Sequence, residues 1–568
     1  MLQTSKSPAR LLYLFLGIWT LLNVIQASFV ELHADEAYYW VYSRFLDWGY
    51  FDHPPMVAIF IRIGDALLQN SLGLRLLSVI SSTCSLYLLW KILSRYNANV
   101  NLFISVFSAV VLFHVYGFIT TPDSPLFFFS VLFFYAYQRY LSEDKWTWAI
   151  LLALVIAGLL YSKYHGILIL FFTILSNLKL LKRSSFWMIV ILVLALFFPH
   201  IWWQVKHNYP SFYYHVIDRN AAFYQFKFTY EYLLAQLALA GPLVGWYFYR
   251  SAIKLPATDT FIRALKFNCY GIFVFFLIST LKGRVEAHWT LPAMLCLFML
   301  AYIAMSSREI PKWFNKVTLI NTSLILLVRA ILIVPVPALM NIKILNYYFG
   351  TETWAKQIQE QAGNAGVIFS DSFQVPSRYN YYTRSTRGFG YDSRNYRKNQ
   401  FDIWPLEDSL RNKRVYYVLS SPHAGDVVQD TIHTTKGDFY GRWIEGLRTY
   451  QKMTVNPDPL PLKWTRGAQI SLNLKIYNPY GEPVRLGNTG QKWACTLEYG
   501  FRKDGAFGDF KAVSCDLESV NIPSGGTVNV PARIVLPDLP GAYKLIFSLR
   551  TEPFSGSRNS NMISVEIK

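Results

Sequence analysis

The chain has 568 residues, 53% hydrophobic, 17% aromatic and only 16% charged, with a formal net charge of +19. Soluble proteins carry nearer ~25% charged residues, and the apolar excess here lies in runs between Leu11 and Leu339, which excludes a single soluble domain and divides the chain into a membrane half and a soluble half. The positive charges punctuate those runs and form no single stripe, which argues against nucleic-acid binding and for basic loops on one side of a membrane.

In chain order, the first apolar run is 11–30. Lys6 and Arg10 precede it and Ile25-Gln26-Ala27 resembles a cleavage site, but the many later runs favour an uncleaved first span. The run empties into LHADEAYYWVYSRFLDWGYFDHPP, residues 32–55. Ala34 to Leu46 has the Tyr and Trp of an interfacial helix, and Pro54-Pro55 can open another. Residues 56–68 are apolar but too short to span, which suits an interfacial or re-entrant helix. Further spans are predicted at 72–93, 101–119, 125–141, 147–161, 165–181, 186–204, 229–249, 267–281, 287–305 and 317–339. The total is about eleven to thirteen at ~20 apolar residues per crossing.

With the N-terminus in the cytoplasm, every predicted inside loop is basic, from Lys6 and Arg10 through Lys91 and Arg95, Arg139 and Lys145, Lys179, Lys182 and Arg183, and Arg250, Lys254, Arg263 and Lys266 to Arg308, Lys312 and Lys316. An odd number of spans places the C-terminal half outside. It also places outside residues 32–70, TTPDSP at 120–125, YSKYHG at 161–166, KHNYPSFYYHVIDRN at 206–220 and LKGRVEAHW at 281–289. Polar groups therefore converge on one face. Residues 1–344 read as the membrane domain, 345–455 as a small α/β domain, and 456–568, with alternating runs such as QISLNLKIYN and AYKLIFSLR between turns, as an antiparallel β-sandwich.

Cys84, Cys269 and Cys296 lie in apolar runs and read as packing residues. Cys495 and Cys515 are equidistant from Gly505, a predicted hairpin turn; they read as a disulfide in an oxidising compartment or as two buried thiols. No Cys/His cluster suggests a metal site.

Asp35 and Glu36 can be explained as the cap and first turn of the aromatic helix. Asp52-His53 and Asp123 fall on the same side, together with Lys163, Lys282 and Arg284, cations that break the positive-inside pattern. Carboxylates beside cations at an interface suit a reaction at a phosphate-bearing lipid head group, where an acid takes a proton from a hydroxyl and Lys or Arg stabilises a departing phosphate. Lys163 can equally be a snorkelling helix-end lysine, Asp123 an anchor at a helix N-terminus, and His207, Asn208 and His215 loop packing. Arg329 falls inside a span, where charges are functional or paired.

HADEAYYWVYSRFLDWGYFDHPPM, TPDSPL, SKYHG, HNYPSF and KGRVEAHWTLPA, in this order, resemble the bacterial branch of the PMT/ArnT-like family over roughly residues 1–450. These are GT-C fold glycosyltransferases related to protein O-mannosyltransferases and lipid A aminoarabinose transferases. The resemblance implies an α-helical polytopic membrane enzyme of GT-C type in a bacterial inner membrane, its soluble domains periplasmic. It would move one sugar from a polyprenyl-phosphate carrier to a lipid, glycan or protein acceptor, with inversion. The family's acidic motif matches Asp35-Glu36, with Asp35 as general base and Glu36 orienting the acceptor, the base or a metal. Lys163, Lys282 and Arg284 would hold the donor phosphate. Asp52, His53, Asp123, Glu286 and His288 would contact substrate, His288 standing where relatives often carry Asn. No cofactor is required, although a divalent ion at Asp35/Glu36 is compatible. A transporter or flippase of a lipid-linked sugar is the alternative, disfavoured because transporters carry ionisable groups at the midplane in repeated halves. A sensor or assembly role leaves the acidic loop unexplained.

Overall fold

The structure is a computed structural model describing residues 8–218, 224–422, 427–460, 463–503 and 505–568. Lys6 and residues 219–220 of the fourth motif lie outside the described residues. Two compact units are present, Met1–Phe349 and Gly350–Lys568.

The first unit is helical: α1 (Pro8–Phe29), α2 (Ala34–Arg44), α3 (Met56–Leu67), α4 (Ser71–Leu93), α5 (Val100–Ser108), α6 (Val111–Val115), α7 (Asp123–Ser142), α8 (Trp146–Ser162), α9 (Gly166–Ser176), α10 (Ser184–Lys206), α11 (Pro210–Phe212), α12 (Phe226–Ala240), α13 (Gly245–Lys254), α14 (Thr260–Ser279), α15 (Leu291–Ser306), α16 (Lys312–Ile333) and α17 (Lys343–Asn346). Among the described residues, six segments are long and apolar enough to cross a membrane: α1, α4, α10, α14, Ala287–Ser306 and α16. Each other predicted span coincides with a helix that is short, more polar or broken. The 101–119 run splits into α5 and α6 around Ala109-Val110, and the 229–249 run splits into α12 and α13 at Gly241, whose φ of +125° favours glycine. α15 is the hub, with nearly every side chain buried, while α10 and α16 expose broad apolar faces. A helix apolar all round is stable only when surrounded by protein or lipid.

The helix ends sort as alternation requires. At one end Tyr302 Oη donates to the Asn97 carbonyl at 2.7 Å, Asn97 Nδ2 to the Ser306 carbonyl at 2.6 Å, and Tyr96 Oη to Asp259 Oδ2 at 3.0 Å. The opposite end holds the quoted motifs. Arg329, about one turn from the end of α16, is held by neutral partners: Gln26 Oε1 at 3.3 Å, Asn23 Oδ1 at 2.9 Å, the Leu22 carbonyl at 3.1 Å and His114 Nδ1 at 3.1 Å. His114 Nε2 lies 2.8 Å from the Ser108 carbonyl, which can only accept, so Nε2 carries the proton and Nδ1 is left to receive Arg329. The intramembrane charge thus fastens α16 to α1 and α6.

The second unit begins with α18 (Thr351–Ala362), β1 (Gly366–Ser370), α19 (Gln374–Tyr382), β2 (Gly388–Tyr391), α20 (Leu406–Leu410), β3 (Val415–Leu419), β4 (Asp430–Thr434) and β5 (Gly437–Ile444). The sheet order is β2-β1-β3-β5-β4, with β1 parallel to β2 and β3. There follow β6 (Thr454–Pro457), β7 (Lys463–Trp464), β8 (Gln469–Tyr477), β9 (Val484–Arg485), β10 (Cys495–Lys503), β11 (Ala506–Phe507), β12 (Lys511–Ala512), β13 (Asn521–Ile522), β14 (Thr527–Val535), β15 (Gly541–Thr551) and β16 (Ile563–Ile567). β14-β8-β6 form one sheet and β11-β10-β15-β16-β7 another, and inward residues of both, among them Leu474, Val530, Leu497 and Phe547, share one core. The second sheet departs from a purely antiparallel pattern, because β7 joins β16 in parallel.

A buried acid pair in this unit makes a pH-dependent prediction. Asp392 is 3% exposed; Asn399 Nδ2 donates to its Oδ2, while its Oδ1 is buried without a hydrogen-bond partner among the described residues. Burial, then the adjacent Asp402 charge, push the Asp392 carboxyl well above the usual carboxylate range. The folded chain therefore holds a proton that the unfolded chain releases above about pH 3.9. The stability contributed is full below that value and is lost as pH rises toward the folded pKa. Asp392→Asn supplies a neutral donor permanently. Calorimetry of the full chain is expected to show the second unit's transition raised by roughly 2–4 °C at neutral pH, a gain that shrinks toward about pH 4.5.

Candidate active site

The site grows from the start of α2. His33 is the N-cap: its Nδ1 accepts from the Asp35 amide at 3.3 Å, and Glu36 reaches back to the His33 amide at 3.1 Å, closing a capping box. Sequence alone places Asp35 in the cap; the imidazole takes that position because its ring nitrogen can accept in place of a short polar side chain. Tyr347, just beyond α17, completes the turn, accepting from the Ala34 amide at 3.0 Å with its ring packed against His33 at 5.4 Å between centroids. Tyr347→Phe keeps that packing and removes the acceptor. It leaves the Ala34 amide without its acceptor and is expected to lower the thermal unfolding midpoint of the full chain by about 2–4 °C, followed by tryptophan fluorescence.

Glu36 is fully buried rather than presented to a substrate or metal. Arg75 Nε meets Oε1 at 2.8 Å and Nη2 meets Oε2 at 2.6 Å, while the Thr120 amide donates to Oε1 at 2.9 Å. With His33 also donating, its acceptor positions are filled, so Glu36 does not offer a chelating partner to Asp35. Arg75 in turn spends every donor: Nη1 on the Ala27 and Val30 carbonyls at 3.1 and 2.7 Å, and Nη2 also on the Glu31 carbonyl at 3.3 Å. This residue, absent from the sequence reading, ties the ends of α1, α2 and α4 together and leads to Thr120 before α7.

α7 opens with Asp123, 3% exposed, whose two oxygens accept from Lys163 Nζ at 2.9 and 2.8 Å. His288 Nε2 lies 3.7 Å from Asp123 Oδ2, and its ring faces Tyr116 at 6.5 Å. The Thr120 amide that donates to Glu36 lies three residues before Asp123, which brings the two acidic segments to the same end of the bundle. Tyr39, one helical turn beyond Asp35, has its hydroxyl kept protonated by burial and by the charges of Asp35 and Asp52. His53 packs against Tyr39 at 5.8 Å and His215 at 5.9 Å, and His215 Nε2 meets the Asp52 carbonyl at 2.7 Å. Beside His288, Arg284 and Glu286 line a cavity of about 420 Å³ together with Lys227, Phe228 and Glu231. Lys282 is exposed and does not line it. Lys163 Nζ is paired with both oxygens of Asp123.

Asp35 differs from the other acids. Its side chain is 37% exposed, against 4% for Asp123 and complete burial for Glu36. His33 Nδ1 lies 3.6 Å from Asp35 Oδ2, but that nitrogen accepts from the Asp35 amide and so does not donate to the carboxylate.

Residues 52–203 match a family model described as dolichyl-phosphate-mannose-protein mannosyltransferase. Two crystal structures of ArnT from Cupriavidus metallidurans superpose on the chain, the apo form with a TM-score of 0.58 and the form bound to undecaprenyl phosphate with 0.57. Both are 13% identical, covering 76% of this chain and 97% of theirs. The likeness to ArnT shows a shared GT-C-like fold, and the family model matches residues 52–203. No curated protein matches the chain. The family match starts at Asp52 and includes Arg75, Asp123 and Lys163 but not Asp35 or Glu36, and Glu36 meets Arg75 and Thr120 across that boundary.

Proposed function

We propose that this protein is an integral-membrane glycosyltransferase that moves one sugar from a polyprenyl-phosphate carrier to an acceptor on the extracytoplasmic side. In this reading, eleven helical segments cross the membrane, the N-terminus is cytoplasmic, and the last unit is extracytoplasmic and ends in a β-sandwich. The observation that carries the reaction is Asp35: a partly exposed carboxylate with no Lys or Arg ion pair among the described residues, at the same end of the bundle as an acid–lysine pair. An acceptor hydroxyl attacks the anomeric carbon from the face opposite the carrier and its proton passes to Asp35. The bond from that carbon to the phosphate oxygen breaks, and its electron pair leaves with the polyprenyl phosphate. Inversion follows from this single displacement. Lys163 and Arg284 neutralise the developing phosphate charge, Lys163 by sharing its donors between Asp123 and the phosphate. Glu36 and Arg75 act by fixing the start of α2, and His288, Glu286 and His53 face the sugar or the acceptor. The bound undecaprenyl phosphate of the Cupriavidus ArnT structure supports a carrier of this class.

The test is transfer in proteoliposomes from polyprenyl phosphate carrying one radiolabelled sugar, with envelope extract as acceptor. The expected result is label on the acceptor and one equivalent of free polyprenyl phosphate. Label that crosses the bilayer still attached to its lipid would establish the flippase alternative instead.

A further inference from the structure

The two cysteines of the second unit lie at matching places in one hairpin. β10 pairs with β12 through Glu498↔Ala512 and Tyr499↔Lys511, and the Val513 amide continues that register to the Leu497 carbonyl at 2.8 Å. In the same register the position opposite Cys495 is Cys515. Directly opposed residues of an antiparallel pair project to the same face, and both thiols do: Cys495 belongs to the core that also takes Leu497, Tyr499 and Val513, and Cys515 packs against it. Beyond Val513 the strand turns toward β14, where Ser514 exchanges backbone hydrogen bonds with Arg533. The backbone groups of Cys495 are then satisfied by the Asn488 side chain, at 2.7 and 3.0 Å. The two side chains still meet the same core. A disulfide needs Cα atoms roughly 4.4–6.8 Å apart, and the two cysteines stand two residues beyond Leu497 and Val513, the last hydrogen-bonded pair of the two strands.

We propose that Cys495 and Cys515 form a disulfide modification site that closes the β10–β12 hairpin against its core. Its formation in the native protein rests on the extracytoplasmic placement of this unit given above. Cys515, half-buried where Cys495 is buried, meets the oxidant first. Its thiolate attacks a disulfide of a dithiol-oxidising protein or of oxidised glutathione, releasing one thiol. Cys495 then attacks the mixed disulfide and releases the second. One S–S bond forms, two S–H bonds are lost, and the two electrons and two protons appear as two thiols on the oxidant.

The experiment blocks thiols with N-ethylmaleimide at lysis, isolates the full chain and digests it with trypsin without reductant. A cross-linked pair is expected, joining Trp493–Arg502 to Ala512–Arg533, which separates on reduction and is lost in Cys515→Ser. If both cysteines carry the blocking group, unblocked folded protein is treated with glutathione disulfide. Closure of the same pair then supports the site and refutes the extracytoplasmic placement. Two separate glutathione adducts, or none, on otherwise native protein overturn the site itself.

Discussion

Asp35→Asn is expected to lower kcat by about 10²–10⁴-fold, the usual contribution of a positioned general base, while binding of undecaprenyl phosphate is unchanged. The substitution preserves shape and leaves the cap intact, because His33 Nδ1 receives the backbone amide of residue 35 and not its side chain. Glu36 and Arg75 keep their contacts. The amide cannot take a proton from the acceptor hydroxyl, so the loss falls on the chemical step. Proteoliposome transfer rates, paired with quenching of intrinsic fluorescence by undecaprenyl phosphate, separate the two quantities. Transfer within threefold of the parent would remove Asp35 from the base role. Loss of both transfer and lipid binding would make it a structural acid.

The second large effect is expected at Arg75. It and Glu36 are wholly buried, and all five guanidinium donors are used. Removing one partner of such a pair strands the other charge in a dry site, at a cost of about 3–5 kcal/mol. Arg75→Ala is therefore expected to yield little folded protein. Arg75→Lys keeps the charge but replaces a planar fork with a point charge that cannot reach both carboxylate oxygens and three carbonyls together. It is expected to fold with a lowered melting temperature and to lose at least tenfold in kcat, because the start of α2 that carries Asp35 is no longer fixed. Thermal unfolding followed by tryptophan fluorescence, with transfer rates on the surviving protein, checks both outcomes. Unchanged kcat in folded Arg75→Lys would mean that the ion pair stabilises the fold without positioning the base.

The helices were legible because their signals are local. Apolar runs, the Pro54-Pro55 helix start and the basic loops each depend on a few neighbouring residues, and α2 and α3 fall where the sequence puts them. The grouping of motifs at one end was legible too, since alternation needs only the order of spans. The division of labour among the acids was not. Asp35 and Glu36 are adjacent in sequence, yet successive helical residues face about 100° apart, so one turns into the bundle and the other toward solvent. Arg75 gave no signal of its own, as one arginine near the start of an apolar helix looks like an interfacial anchor. Lys163 read as an unpaired outside cation because its partner, Asp123, lies 40 residues away in sequence. The same holds for Arg329, whose partners on α1 lie more than 300 residues away.

Composition and periodicity thus determined by themselves that this is a polytopic membrane protein with a sheet-rich soluble end and a polar face built from five separated motifs. Burial is a property of packed neighbours and not of residue type. Only the tertiary structure decided which charges are sealed into pairs and which carboxylate stays exposed.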